Sequence, residues 1–227
     1  MIKAVIFDLD NTLLDFQKMK EQGVRASIGA MIEAGLDYNE EKAYQDIFEI
    51  YREKGWEYRL VFDDFIKNTI GQLDNKLLAA AIVAYRRAKE ATLSVYPNVR
   101  RTLIYLIKHS IKIAVVSDAP SREAWMRIYY LNLHHVFDLV LTYDDTKVRK
   151  PSPIPFKMAL EKLNVEPEQA LMIGDWPERD VVGASQVGMK TIFARYGDTF
   201  EIENSGADWE VDDIYEIINI INELNSA

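Results

Sequence analysis

The sequence predicts an α/β fold: a Rossmann-like, mostly parallel sheet with helices on both faces, interrupted near its start by an inserted all-helical unit of four helices. Three observations carry that expectation. Five short apolar runs rich in β-branched residues recur along the 227 residues. From the second run onward they alternate with segments of helical period, and residues 16–95, between the first run and the second, carry no strand pattern.

The runs are IKAVIF (2–7), IKIAVVS (111–117), FDLVLTY (137–143), ALMIGD (170–175) and KTIFAR (190–195). The segments NVRRTLIYLIKHS, SREAWMRIYYLNL, PFKMALEKLN and RDVVGASQVGM show helical spacing and are bounded by Pro, Gly, Ser or Asn. Strands alternating with helices require right-handed crossovers, and so a parallel sheet covered on both faces. DDIYEIINIINEL (212–224) reads as a closing amphipathic helix.

The insertion offers helical stretches at 17–34, 39–54, 59–70 and 75–91, broken by AGLD, EKGWE and GQLDN, and returns through VYPN at 95–98. The expected division is therefore a catalytic core of residues 1–15 and 96–227 and a helical cap of residues 16–95. Inserted directly after the first strand, the cap is placed to act as a lid over that strand's carboxyl end.

Composition narrows the function. With 48% apolar and 28% charged residues the chain reads as an ordinary globular protein. A formal charge of -9 argues against nucleic acid as a partner, because the arginine pairs at 86–87 and 100–101 make no basic patch able to release counterions. The absence of cysteine excludes disulfides, a thiolate nucleophile and cysteine-ligated metal. AVIF is too short for a signal peptide or a membrane span, so the expected location is cytoplasmic, with no membrane partner.

Parallel strands share one carboxyl edge, and the polar residues at these strand ends become neighbours there. The first strand ends in Asp8 and Asp10, the second in Ser117 and Asp118; Lys147 and Lys150 follow the third, and Asp175 and Asp180 the fourth. Several carboxylates in one place suggest a hard divalent cation, most naturally Mg2+ shared with a phosphate, and a lysine with a serine suits the remaining phosphate oxygens. This inventory fits phosphoryl chemistry. It does not fit acyl transfer, since Ser117 lies in VVSDA rather than G-x-S-x-G and none of the three histidines is placed to serve it. Taken singly, Asp10, Asn11, Ser117 and Asp180 could each be a cap or a turn residue and Lys150 a solvated lysine. Their coincidence at four strand ends favours a site. His134 and His135, adjacent in sequence, read as helix-end or packing residues, as does His109; Trp176 and Tyr143 read as interface packing or as stacking partners of a substrate.

The motifs FDLDNTL (7–13), VVSDA (115–119), KPSP (150–153) and IGDWPERD (173–180) resemble, in order and separation, those of the haloacid dehalogenase superfamily in its phosphatase branch, including enzymes like phosphoglycolate phosphatase. The resemblance covers nearly the whole chain. It implies that Asp8 is the nucleophile forming an aspartyl-phosphate and Asp10 the general acid and base. Mg2+ would be held by Asp8, Asp175 and the main-chain carbonyl of Asp10, with Asp180 in support. Ser117, Asp118 and Lys150 would form the phosphate-binding set, with Asp118 standing where relatives often carry Asn. Asp15 reads as structural or as a lid hinge. Asp10 separates phosphate from halide chemistry within the family, because a halide leaving group needs no proton.

The function implied is a magnesium-dependent phosphatase acting on a small phosphorylated metabolite, such as glyceraldehyde 3-phosphate, phosphoglycolate or a sugar phosphate. A phosphomutase, a 2-haloacid dehalogenase and a binding protein without turnover are the alternatives. Gln17, Lys18, Arg25, Tyr58 and Arg59 are possible substrate readers on the cap, or solvated surface residues.

Overall fold

A computed structural model describes residues 1–226, and the chain divides into two compact units, Met1–Asp15 with the chain from Ser94 onward, and Phe16–Leu93. Strand β1 (Ala4–Phe7) opens the first unit and is buried along its whole length. The second unit follows as four helices, α1 (Phe16–Glu33), α2 (Glu40–Lys54), α3 (Val61–Ile70) and α4 (Asn75–Thr92), each within two residues of the expected stretch.

Local chemistry sets the ends of these helices. The Asn39 side chain accepts from the Lys42 amide at the start of α2, and Asp74 accepts from Lys76 and Leu77 at the start of α4. Gly71 closes α3 in the left-handed region with φ 80°, where a side chain would be strained. Ile28, Met31, Ile47, Phe65 and Ile66 fill the interior of the unit. Buried Lys20 donates from Nζ to the Trp56 carbonyl at 2.6 Å and lies 3.9 Å from the Tyr51 ring centroid.

The first unit continues with α5 (Val99–Lys108), β2 (Lys112–Val116), α6 (Ser121–Tyr130), β3 (Leu139–Leu141), α7 (Tyr143–Thr146), α8 (Ile154–Leu163) and β4 (Ala170–Gly174). It ends with α9 (Asp180–Ser185), β5 (Lys190–Ala194), β6 (Trp209–Val211) and α10 (Ile217–Ser226). The six strands are parallel, in the order β3-β2-β1-β4-β5-β6. Five of them are the expected runs. The sixth, β6, has the sequence WEV, in which Glu210 interrupts any apolar run.

The pleat divides the strand residues between two buried faces. Ala4, Ile6, Ala114, Val116, Ala170 and Met172 pack with Phe156, Ala159 and Leu160 of α8 and Ala184 of α9. Val5, Phe7, Ile113, Val115, Leu171 and Ile173 alternate to the opposite face and are fully buried as well. Such burial on both sides explains why the strands read as continuous apolar runs.

Two expectations shift. The helix expected across SREAWMRIYYLNL stops at Tyr130, because Asn132 takes φ 56° and turns the chain. His134 and His135 therefore lie beyond a helix rather than on its end, and His134 stacks on Tyr129 with ring centroids 4.4 Å apart. Among the described residues no helix is long and apolar enough to cross a membrane.

Candidate active site

Strand β1 lies between β2 and β4, so the strand order reverses there and a crevice opens at its carboxyl end. Register delivers the polar residues to that edge: Phe7 pairs with Val115 on one side and Ile173 on the other, and the Asp8 amide donates to the Ile173 carbonyl at 2.8 Å. Asp8, Ser117 and Asp175 consequently emerge within a residue of one another along the edge.

The centre is an ammonium among carboxylates. Lys150 Nζ donates to Asp8 Oδ1 and to Asp180 Oδ1, each at 2.5 Å, and all three side chains are nearly inaccessible to water. One oxygen from each of Asp8, Asp175 and Asp180 lies within 4.8 Å of the others, so these carboxylates could hold a metal ion. Three acids surround a single lysine, and the uncompensated negative charge fits a hard divalent cation with oxygen ligands.

The electrostatics show the same excess. Burial pushes the Asp175 carboxyl well above the usual carboxylate range, and the charges of Asp8 and Asp180 push it further. Burial likewise raises Asp180 to about 6, against the opposing pull of Lys150. For Lys150, burial alone would lower the ammonium's pKa, but Asp180 and Asp8 outweigh it and hold the pKa above its ordinary value.

Asp10 emerges on the same edge but meets a different cation: Arg127 Nη1 of α6 donates to its Oδ2 at 2.7 Å. Ser117 is buried, and its Oγ accepts the Ala119 amide at 3.2 Å. Asp118 has its carboxylate turned to neighbouring donors, Oδ1 accepting the Lys150 amide at 3.0 Å and Oδ2 the Arg179 guanidinium at 3.1 Å. Its contribution here is to tie the lysine's loop to the segment that carries Asp175 and Asp180. Lys147, by contrast, is largely exposed and lies 3.9 Å from Asp144.

The aromatic candidates are packed within this unit: Trp176 carries the Arg179 guanidinium 3.6 Å from its ring centroid and meets Phe200 at 4.7 Å. In the helical unit Gln17 donates to Glu21, Arg25 pairs with Glu41 at 2.8 Å and the Tyr58 hydroxyl donates to Asp64 at 2.7 Å.

Several supporting residues escaped the sequence reading. Buried Thr12 donates from Oγ1 to Asp175 Oδ1 at 3.1 Å, and the Tyr196 hydroxyl donates to the Thr12 carbonyl at 2.8 Å. Burial raises the Tyr196 hydroxyl's pKa, with the nearby Asp175 charge adding to the effect, which keeps it a neutral donor. Two glycines are required by close approach: a Cβ at Gly174 would collide with the Asp180 carboxylate, and one at Gly197 with the Asn11 carbonyl oxygen. The signal for Gly174 stood in the IGD of the fourth strand. None marked Tyr196 or Gly197.

A parallel α/β sheet with buried acids gathered round one lysine at its switch point defines a class, that of Rossmann-like proteins with a cation-ready centre. The chain belongs to the haloacid dehalogenase-like hydrolases, whose family pattern it matches over residues 2–188. It is 36% identical over 230 residues to a glyceraldehyde 3-phosphate phosphatase of Methanopyrus kandleri, with 99% of each chain covered. It is 32% identical over 229 residues to the protein of the same name from Pyrococcus furiosus, covering 100% of this chain and 95% of that one. Among solved structures, a HAD phosphatase from Thermococcus onnurineus superposes with a TM-score of 0.70 at 26% identity, covering 97% of this chain and 98% of that one.

Proposed function

We propose that the chain is a magnesium-dependent phosphatase of a small phosphorylated metabolite, with a triose phosphate such as glyceraldehyde 3-phosphate as the favoured substrate. The observation that carries this reading is the buried group of Asp8, Asp175, Asp180 and Lys150, with the carboxylate of Asp10 beside it and held by a different cation. The full-length similarity to the two archaeal phosphatases supports the choice of substrate class.

Asp8 is the proposed nucleophile. An Asp8 oxygen attacks phosphorus, the ester P–O bond breaks with its electron pair on the leaving oxygen, and that oxygen takes a proton from Asp10. Asp10 then takes a proton from water, whose oxygen attacks phosphorus. The bond to Asp8 breaks with its electrons returning to the carboxylate, and inorganic phosphate leaves. Lys150 reduces the repulsion between Asp8 and the phosphate dianion, and Ser117 with Lys150 binds the phosphoryl oxygens. Asp8, Asp175 and the Asp10 carbonyl would hold Mg2+, with Asp180 in support. When bound, the cation neutralises charge on nucleophile and phosphate together.

In this reading the core comprises residues 1–15 and 96–227, and residues 16–95 form a cap that selects the substrate. Hydrolysis of a panel of phosphorylated metabolites, followed by phosphate release with magnesium and with EDTA, tests it. Magnesium-dependent release, greatest for triose phosphates, is expected. Turnover that survives complete removal of metal would overturn the mechanism, and isomerisation of a sugar phosphate without net phosphate release would make the protein a mutase.

A further inference from the structure

The two carboxylates of the DxD stretch are partnered by cations from different elements: Asp8 by Lys150 and Asp10 by Arg127. Arg127 is the unexpected member. It lies on the buried face of α6 with Ala124 and Ile128, and it ranks first by volume among the fully buried side chains, at 1% exposure. An arginine in such a place loses its hydration, and an apolar residue of similar volume would fill the space without that cost. Its planar guanidinium reaches Asp10 Oδ2 at 2.7 Å, while the Asp10 side chain keeps 22% of its surface open. One oxygen of Asp10 is thus anchored from inside the protein, and the other, Oδ1, is itself buried although the side chain as a whole is not.

We propose that Arg127 is a positioning residue: it holds the Asp10 carboxyl where it can deliver its proton to the leaving-group oxygen. This rests on the phosphatase reading, in which Asp10 handles that proton. Lysine would supply the charge but not the rigid planar fork, so Arg127→Lys is expected to serve only in part.

The test uses the dependence of general acid catalysis on the leaving group. A nitrophenolate leaves without a proton, whereas the alkoxide of a triose phosphate needs one. In full-length protein with magnesium, kcat/KM is measured for 4-nitrophenyl phosphate and for glyceraldehyde 3-phosphate, because this parameter reports the steps through loss of the leaving group. Arg127→Met is expected to lose at least about tenfold more on the alkyl ester than on the aryl ester, and Asp10→Asn is expected to show the same differential. Arg127→Lys should show the same differential, reduced. In the Asp10→Asn background, Arg127→Met should add no further differential, since the two residues act as one unit.

Equal losses on both esters, or no loss, would overturn the positioning role while leaving the phosphatase reading intact. Should Arg127→Met fail to fold, Arg127→Lys alone decides: an undiminished preference for the alkyl ester overturns the proposal. A wild type inert on both esters would overturn the phosphatase reading, and this inference with it.

Discussion

Both units bury an apolar interior, but the sheet unit adds to its own a cluster of buried charges. In the helical unit the interior is Ile28, Met31, Ile47, Phe65 and Ile66, and the ion pairs Arg25–Glu41 and Lys54–Asp64 lie towards its surface. In the sheet unit Asp8, Lys150, Asp175 and Asp180 are buried together at the carboxyl edge of an apolar sheet. Desolvating that many charges opposes folding, whereas the helical unit's apolar interior favours it at roughly 25 cal/mol per Å². The difference teaches where each unit is optimised: the sheet edge for a chemical environment, the helical unit for its own cohesion.

Four substitutions or conditions sharpen or break this contrast. Asp8→Asn keeps the shape and removes one of the clustered charges, so turnover should fall below about a thousandth of wild type while the thermal midpoint holds or rises. A large drop in midpoint would mean that Asp8 is structural. Lys150→Met should cost about 3–5 kcal/mol in denaturant unfolding, because it strands buried carboxylates; an unchanged stability would show that the cluster is already solvated.

The third effect depends on pH. The carboxyls of Asp175 and Asp180 are raised in the folded chain, Asp180 to about 6. Without metal, the folded state binds more protons than the unfolded one above the ordinary carboxylate pKa, so stability from Asp180 is present at low pH and lost as pH rises through about 6, and that from Asp175 is lost in the same direction. A cation competes with those protons. The gain in midpoint on adding magnesium should therefore be larger at pH 8 than at pH 5, and calorimetry at the two values checks it. A gain independent of pH would place the ion elsewhere. Smallest is Ile66→Val in the helical unit, expected to lower stability by about 1 kcal/mol and to leave kcat for 4-nitrophenyl phosphate unchanged.

Five core strands were legible as continuous apolar runs, and all four helices of the insertion because each repeats a period over enough residues. Strand β6 was not, since Glu210 separates Trp209 from Val211 and leaves no apolar run. Asp8, Asp10, Lys150, Asp175 and Asp180 could be read because each follows an apolar run, and parallel pairing brings the ends of such runs together. Arg127 stood in plain view within SREAWMRIYY, but arginine in a helix reads as a solvated face. Its place three residues after Ala124 and one before Ile128 was the available clue. Thr12 looked like part of a turn, and Tyr196 and Gly197 follow β5 with no pattern linking them to residues nearly two hundred positions earlier.

The insertion's two junctions lie side by side. Leu14 bridges to Val95, and the Asp15 amide donates to the Ser94 carbonyl at 3.2 Å. The seventy-eight residues from Phe16 to Leu93 are thus bracketed by two chain segments that already hydrogen-bond to each other. A helical module of another length or sequence could be spliced between them without moving a strand of the sheet. The arrangement is a socket: the insertion enters and leaves the sheet unit at one point, so the sheet's chain path closes there whatever lies between the two junctions.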